Sequence, residues 1–213
     1  MDARVLRLYI LGPTLGLLLH QRGWLILHAS GISIDQRAIL FLGAPGWGKS
    51  TTAAALYAHG HAIVADDVIP VELNGESTIV HPGFPQLKLW PEAAASLGDS
   101  VETLPRVHPN FEKRVRRTGD GFALSPLPLK CIYVLAEGAK QEIQPIGAQY
   151  AIVELVRHSY AAQFLGATET SALHFEQCAR LANRVPIRAL RRPRALKELS
   201  ELARLVENDV AQN

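Results

Sequence analysis

Apolar positions along the chain follow two different periods. From Trp24 to Ile34, "WLILHASGISI" alternates and is rich in β-branched residues, "DQR" turns the chain, and "AILFLG" from Ala38 to Gly43 is continuously apolar. This pattern predicts a hairpin whose second strand runs into a glycine-rich loop. Ser50 to Ala58 is an alanine-rich helix closed by "HGH", and "AIVADD" from Ala62 to Asp67 reads as a buried strand ending in two acids. "VIPVEL" and "STIV" form a second hairpin around Asn74-Gly75, a strong turn pair. A helix starts after Pro91 and a strand covers Pro128 to Glu137. The last third predicts helices over 147–157 and 169–183, a strand over Pro186 to Leu190 and a closing helix from Arg194 to about Val206. The whole reads as one α/β domain over residues 1–213, a β-rich sheet with flanking helices.

Near the N-terminus, "LYILGPTLGLLL" follows Arg4 and Arg7 and has the length of a signal-peptide core. Pro13 inside it and "HQRG" directly after it argue instead for a helix buried against the sheet, and the run is too short to span a bilayer. The expectation is a cytoplasmic protein with no membrane partner. Length and a 48% hydrophobic content support a sizeable core, and a net charge of +2 gives no global field for nucleic acid. Basic residues crowd only locally, at Lys113, Arg114, Arg116 and Arg117 and at Arg188 to Arg194. Cys131 and Cys178 lie in apolar patterns without metal-type spacing and read as reduced core residues.

The candidate chemistry begins with "GAPGWGKS", which matches the phosphate-binding loop G-x-x-x-x-G-K-S/T at Gly43, Gly48, Lys49 and Ser50, with a strand before it and a helix after it. Glycines at 43, 46 and 48 let backbone N–H groups converge on phosphate oxygens, and the helix end adds its positive dipole. Lys49 is placed for the β- and γ-phosphates and Ser50 for magnesium, so ATP and Mg2+ are the expected cofactors. Trp47 and Thr51 complete the nucleotide-binding set, Trp47 either stacking on the nucleotide or packing within the loop. Asp66 and Asp67 end the next strand, where one acid can hold magnesium while the other accepts a proton from an attacking hydroxyl. His28 lies on the strand preceding the one that enters the loop. Lys113 and Arg114 are candidates to steady the transferred phosphoryl group, and their basic neighbours to hold a peptide carboxylate.

The stretch "LHASGISIDQRAILFLGAPGWGKSTTAAALYAHGHAIVADDV" resembles the catalytic domain of bacterial HPr kinase/phosphorylases, whose fold is of the phosphoenolpyruvate carboxykinase-like type. The resemblance implies that Asp66 is the general base toward a serine hydroxyl, that His28 tunes its proton affinity and that Asp67 serves the magnesium. "HPGFPQLKLWPEAAASLG", "EKRVRR", "PLPLKCIYVLAE" and "VPIRALRRPRAL" look like a shorter group of related kinases associated with lasso peptide biosynthesis. That similarity implies a serine kinase acting near the C-terminal end of a precursor peptide, which would be its partner. An HPr-type protein, a small metabolite, or a nucleotide-sensing role without turnover are the alternatives, and a homo-oligomer is left open.

Overall fold

The computed structural model describes residues 2–160 and 171–212. Helix α1 (Ala3–Tyr9) runs through a wide turn, Ile10–Thr14, into helix α2 (Leu15–Gln21). Pro13 lies in that turn, where it removes one backbone donor and widens the helical ladder. This segment is not the buried helix expected from its hydropathy. Leu6, Tyr9, Ile10 and Leu18 are exposed, while Gly12, Gly16 and His20 form the covered stripe. A Cβ at Gly12 or Gly16 would stand 2.7 or 2.8 Å from the Tyr160 side chain, so only glycine lets that ring approach. Among the described residues, no helix is long and apolar enough to cross a membrane.

The long alternating segment is two strands, β1 (Leu25–Leu27) and β2 (Ser30–Ile34), broken at His28 and Ala29. β2 pairs with β3 (Arg37–Leu42) across a tight turn in which Asp35 and Gln36 both have positive φ. Helix α3 (Lys49–Ala58) leads to β4 (Ala62–Asp66), which returns antiparallel to β2. β5 (Ile69–Asn74) and β6 (Ser77–Val80) form the second hairpin, and β5 takes β1 on its other side. The break at His28 therefore carries the chain from one part of the sheet to another.

Residues 86–117 differ most from expectation. β7 (Gln86–Leu89), helix α4 (Pro91–Ser96), β8 (Arg106–His108) and β9 (Phe111–Arg117) build a separate three-stranded sheet in the order β7-β9-β8. The basic "EKRVRR" segment is thus a strand, and its charges alternate between two faces. Beyond it, β10 (Leu127–Glu137) joins β6 at its start and then runs parallel to β3. β11 (Glu142–Pro145), helix α5 (Ala148–Arg157), helix α6 (Ser171–Arg184), β12 (Ile187–Arg192) and helix α7 (Leu199–Gln212) complete the chain. Residues 169 and 170, expected to begin the sixth helix, lie outside the described residues.

Both faces of the large sheet are covered, which explains the unbroken apolar runs of β3 and β10. Ile39, Phe41, Tyr133 and Leu135 point into one core with α3 and α7, whereas Leu40, Leu42, Ile132 and Val134 point into the other with α5 and α6. The loop after β3 therefore leaves from the middle of a layer held on both sides. Cys131 and Cys178 are free and buried, one in each core.

Candidate active site

The phosphate loop leaves β3 at Gly43 and enters α3 at Lys49. Gly48 has φ 82°, and a Cβ there would lie 2.3 Å from a guanidinium nitrogen of Arg192. The left-handed backbone favours glycine, and any side chain there would also displace the Arg192 guanidinium. Arg192, at the end of β12, donates to the carbonyl of Trp47 at 2.9 Å, and the Arg194 guanidinium lies 4.8 Å from the Trp47 ring centre. The "RRPR" cluster thus holds the loop, a role the sequence did not reveal because nothing local links residues 47 and 192.

Lys49 is buried and donates to the Gly43 carbonyl at 2.8 Å. Burial pulls its pKa down to about 8 against the opposing pull of Asp66 and Asp67. A buried ammonium with one carbonyl partner, at the start of a helix, is suited to a phosphate oxygen. Thr51 lines a cavity in front of the loop together with Gly46, Trp47, Gly48, Trp90 and Arg192.

Asp66 is fully enclosed by donors. Ser30 Oγ at 2.5 Å and Ser50 Oγ at 2.9 Å both donate to its Oδ1, and the Lys88 N–H donates to Oδ2 at 2.8 Å. Burial pushes its carboxyl pKa up, with the neighbouring Asp67 charge adding to the effect and the hydrogen bonds opposing it. Asp67 lies just beyond β4 with φ 85°, a left-handed conformation uncommon for a non-glycine residue. Its N–H donates to the Ala29 carbonyl at 2.8 Å, which fixes that turn. The Lys88 ammonium stands 2.5 Å from Asp67 Oδ2, and His28 Nε2 3.4 Å from Oδ1. Burial alone would raise the Asp67 pKa, but the charges of Lys88, His28 and Lys113 outweigh it and hold the carboxyl below its ordinary value.

One expected placement is corrected here. His28 is in the break between β1 and β2 rather than on a strand, and it contacts Asp67 rather than Asp66. Its N–H donates to the His158 carbonyl at 2.7 Å, so ladder pairing is replaced by a tie to the end of α5. Burial and the Lys49 charge lower its imidazole pKa to about 4, leaving it neutral at pH 7. Ser50, expected on the metal with Asp67, donates to Asp66 at 2.9 Å.

Lys113 and Arg114 separate because they are adjacent on a strand. Lys113 lies 5.6 Å from the Trp90 ring centre, and its charge is felt at His28, Lys49 and Asp67. Arg114 instead shares the Glu112 face of β9, 3.3 Å from that carboxylate. Lys88 and Ser30 are site residues that sequence reasoning missed. Lys88 could have been suspected from "QLKL", where one long cation alternates with core leucines.

The donors available to a metal are the Ser50 hydroxyl and the two carboxylates, all hard oxygens. Among the described residues, no group of three or more His, Cys, Asp and Glu forms a complete protein cage. This set fits magnesium, which takes its remaining ligands from phosphates and water.

No family model matches the chain. Over 53 residues, 25% of this chain, it is 38% identical to an HPr kinase/phosphorylase of Caldicellulosiruptor bescii. The similarity is to that enzyme type. A second such enzyme, from Chlorobium phaeobacteroides, is 34% identical over 56 residues, 26% of this chain. The matched stretches span only 17% and 16% of those two relatives. The solved Hpr(Ser) kinase/phosphatase from Coxiella burnetii superposes with a TM-score of 0.47 at 14% identity, covering 88% of this chain and 97% of that one.

Proposed function

We propose that this chain is a magnesium- and ATP-dependent kinase that transfers a phosphoryl group to a serine hydroxyl of a peptide or small protein. One observation carries the reading: the loop residues Lys49 and Ser50 meet a pair of carboxylates whose environments push their pKa values in opposite directions. Such a divergence assigns different tasks to the two acids. Asp66, with its raised proton affinity, takes the serine proton. Asp67, kept ionised by Lys88, supplies standing negative charge. Ser50 and Asp67 are the residues that would hold magnesium, which would neutralise charge on the β- and γ-phosphates. Lys49 and the loop N–H groups grip those phosphates. Lys113 is the cation on the site-facing side of β9, placed to offset charge on the transferred group.

The acceptor we propose is a serine near the C-terminal end of a lasso-type precursor peptide, a reading supported by the resemblance of the later segments. An HPr-type protein is the second reading, favoured by the names of the two curated relatives. A cytoplasmic location fits the two free, buried thiols. The test is intact-mass spectrometry of each acceptor after incubation with enzyme, Mg2+ and ATP, with fragmentation to locate the phosphate. A gain confined to a C-terminal serine of the precursor supports the first reading, and phosphorylation of HPr the second. ATP turnover without either product points to another acceptor, and no turnover at all would sink the kinase assignment.

A further inference from the structure

Helix α1 and the three-stranded sheet enclose a groove that is linked to the carboxylate pair through Lys88. Its lining includes Arg4, Arg7, Lys88, Arg106, Val115 and Arg117. In the β7-β9 register, Lys88 faces Val115 and Gln86 faces Arg117, so Lys88 and Arg117 share one face of the sheet. Lys88 spans the junction, lining the groove while its ammonium reaches Asp67.

The charges in this groove do not balance. Arg4 pairs with Asp2 at 2.7 Å, Arg106 with Glu112 at 2.9 Å, and Lys88 with Asp67. Arg7 and Arg117 lie in the same lining with no ion pair to a carboxylate of the described residues. Crowded cations repel one another, and a bound anion relieves that repulsion. The size of the groove narrows the choice of anion. Its volume is about 120 Å³, well below the roughly 300–1,000 Å³ of sites for drug-sized ligands. That space suits a side chain or a chain end rather than a nucleotide. Nor does the groove share a lining residue with the cavity in front of the phosphate loop.

The geometry points to this groove as the docking site for a carboxylate of the acceptor peptide, held beside the reacting hydroxyl. The inference rests on the kinase reading and names what its acceptor must carry: an acidic side chain or a free C-terminal end next to the serine. Arginine forks bind such a group bidentately, which fixes orientation as well as charge.

Fluorescence anisotropy with a short labelled peptide tests this without turnover. The peptide carries one serine followed by glutamate with an amidated end, by glutamine with a free end, or by glutamine with an amidated end. We expect the two acidic forms to bind more tightly than the neutral one. Arg7→Glu and Arg117→Glu should each weaken the acidic forms about tenfold, the scale of one lost hydrogen bond to a charged group. Binding of a fluorescent ATP analogue should stay unchanged in both variants, which also reports that they are folded; Arg7→Gln and Arg117→Gln replace any that are not. The glutamate and free-end forms identify which carboxylate the groove prefers. Equal binding of all three peptides, no effect of the variants, or equal displacement by inorganic phosphate or an oligonucleotide would overturn the proposal. Selective binding without phosphoryl transfer would leave the groove standing and remove the kinase reading. Transfer with an unmoved KM in the variants would do the reverse.

Discussion

At the scale of single residues, the site is governed by how two neighbouring carboxylates are treated by their surroundings. Asp66 has all its space filled by donors, whereas Asp67 is turned out by a positive φ toward Lys88 and His28. Asp66→Asn should keep nucleotide binding and lose phosphoryl transfer by about 10²–10⁴-fold, the usual worth of a general base. Asp67→Asn should instead raise the magnesium concentration needed for half-maximal rate. Steady-state rates across a magnesium titration separate these outcomes, and the opposite pattern would exchange the two roles. The thiols give a simpler case. Burial raises the pKa of Cys131 to about 11 and that of Cys178 to about 12. Because folding raises these values above the ordinary 9, the thiol form contributes its full stability below pH 9, and that contribution is lost as pH climbs through 11 and 12. Alkylation of the native protein at pH 8 should therefore be negligible and become complete only in denaturant. Ready labelling of folded protein, read by mass, would contradict this.

The scale of elements shows why some features were legible and others were not. The phosphate loop, the helix behind it and the acid pair are specified by spacing within one strand-loop-helix-strand unit, so a linear reading finds them. His28 was also found, but its break in the strand was not, because the break exists to move the chain from β5 to β3 and β4 as partners. The three-stranded sheet escaped because basic residues on both faces of β9, at Lys113, Arg114, Arg116 and Arg117, mask a period of two. Once "EKRVRR" is a strand, Lys113 and Arg114 acquire opposite neighbours, and their substitution must give opposite results. Lys113→Ala should lower kcat by about a hundredfold, as loss of a preorganised charge on the transferred group does. Arg114→Ala should leave kcat near wild type and act only through the Glu112 contact. A matched loss of kcat in both would show that the strand alternation does not control access to the site. Gly48→Ala belongs to this scale too. The added Cβ meets Arg192 and a left-handed backbone, so the loop and its clamp must both shift. Its measured effect should be a loss of ATP-analogue binding in a protein that remains folded.

For the whole molecule, the question is how a small loop is kept in place by distant parts of the chain. Helix α7 packs its buried Leu202, Ala203 and Val206 into the core shared with α3 and the sheet. Asp209 on α7 accepts hydrogen bonds from Tyr133 on β10, at 2.5 Å, and from Arg188 on β12. The helix behind the phosphate loop is thus supported by the last helix of the chain as well as by the strands next to it in sequence. Leu202→Ala should cost about 2–5 kcal/mol, since it removes a fully buried side chain and leaves a cavity. At roughly 2–4 °C per kcal/mol for a chain of this size, Tm falls by about 4–20 °C. Ligand linkage separates this loss from damage to the site. Saturating Mg-ATP at a hundred times its Kd should stabilise the folded protein by about 2.7 kcal/mol. Wild type and Leu202→Ala should show the same upward shift from different starting temperatures, because the cavity lies in the core and the loop geometry survives. Lys49→Ala should start near the wild-type Tm and show no shift, because its deletion removes the phosphate contact and one hydrogen bond within the loop but leaves the core intact. If Leu202→Ala lost the shift as well, the core beneath α3 would be setting the loop conformation and not merely its stability, and the site could no longer be regarded as a local unit on a rigid scaffold.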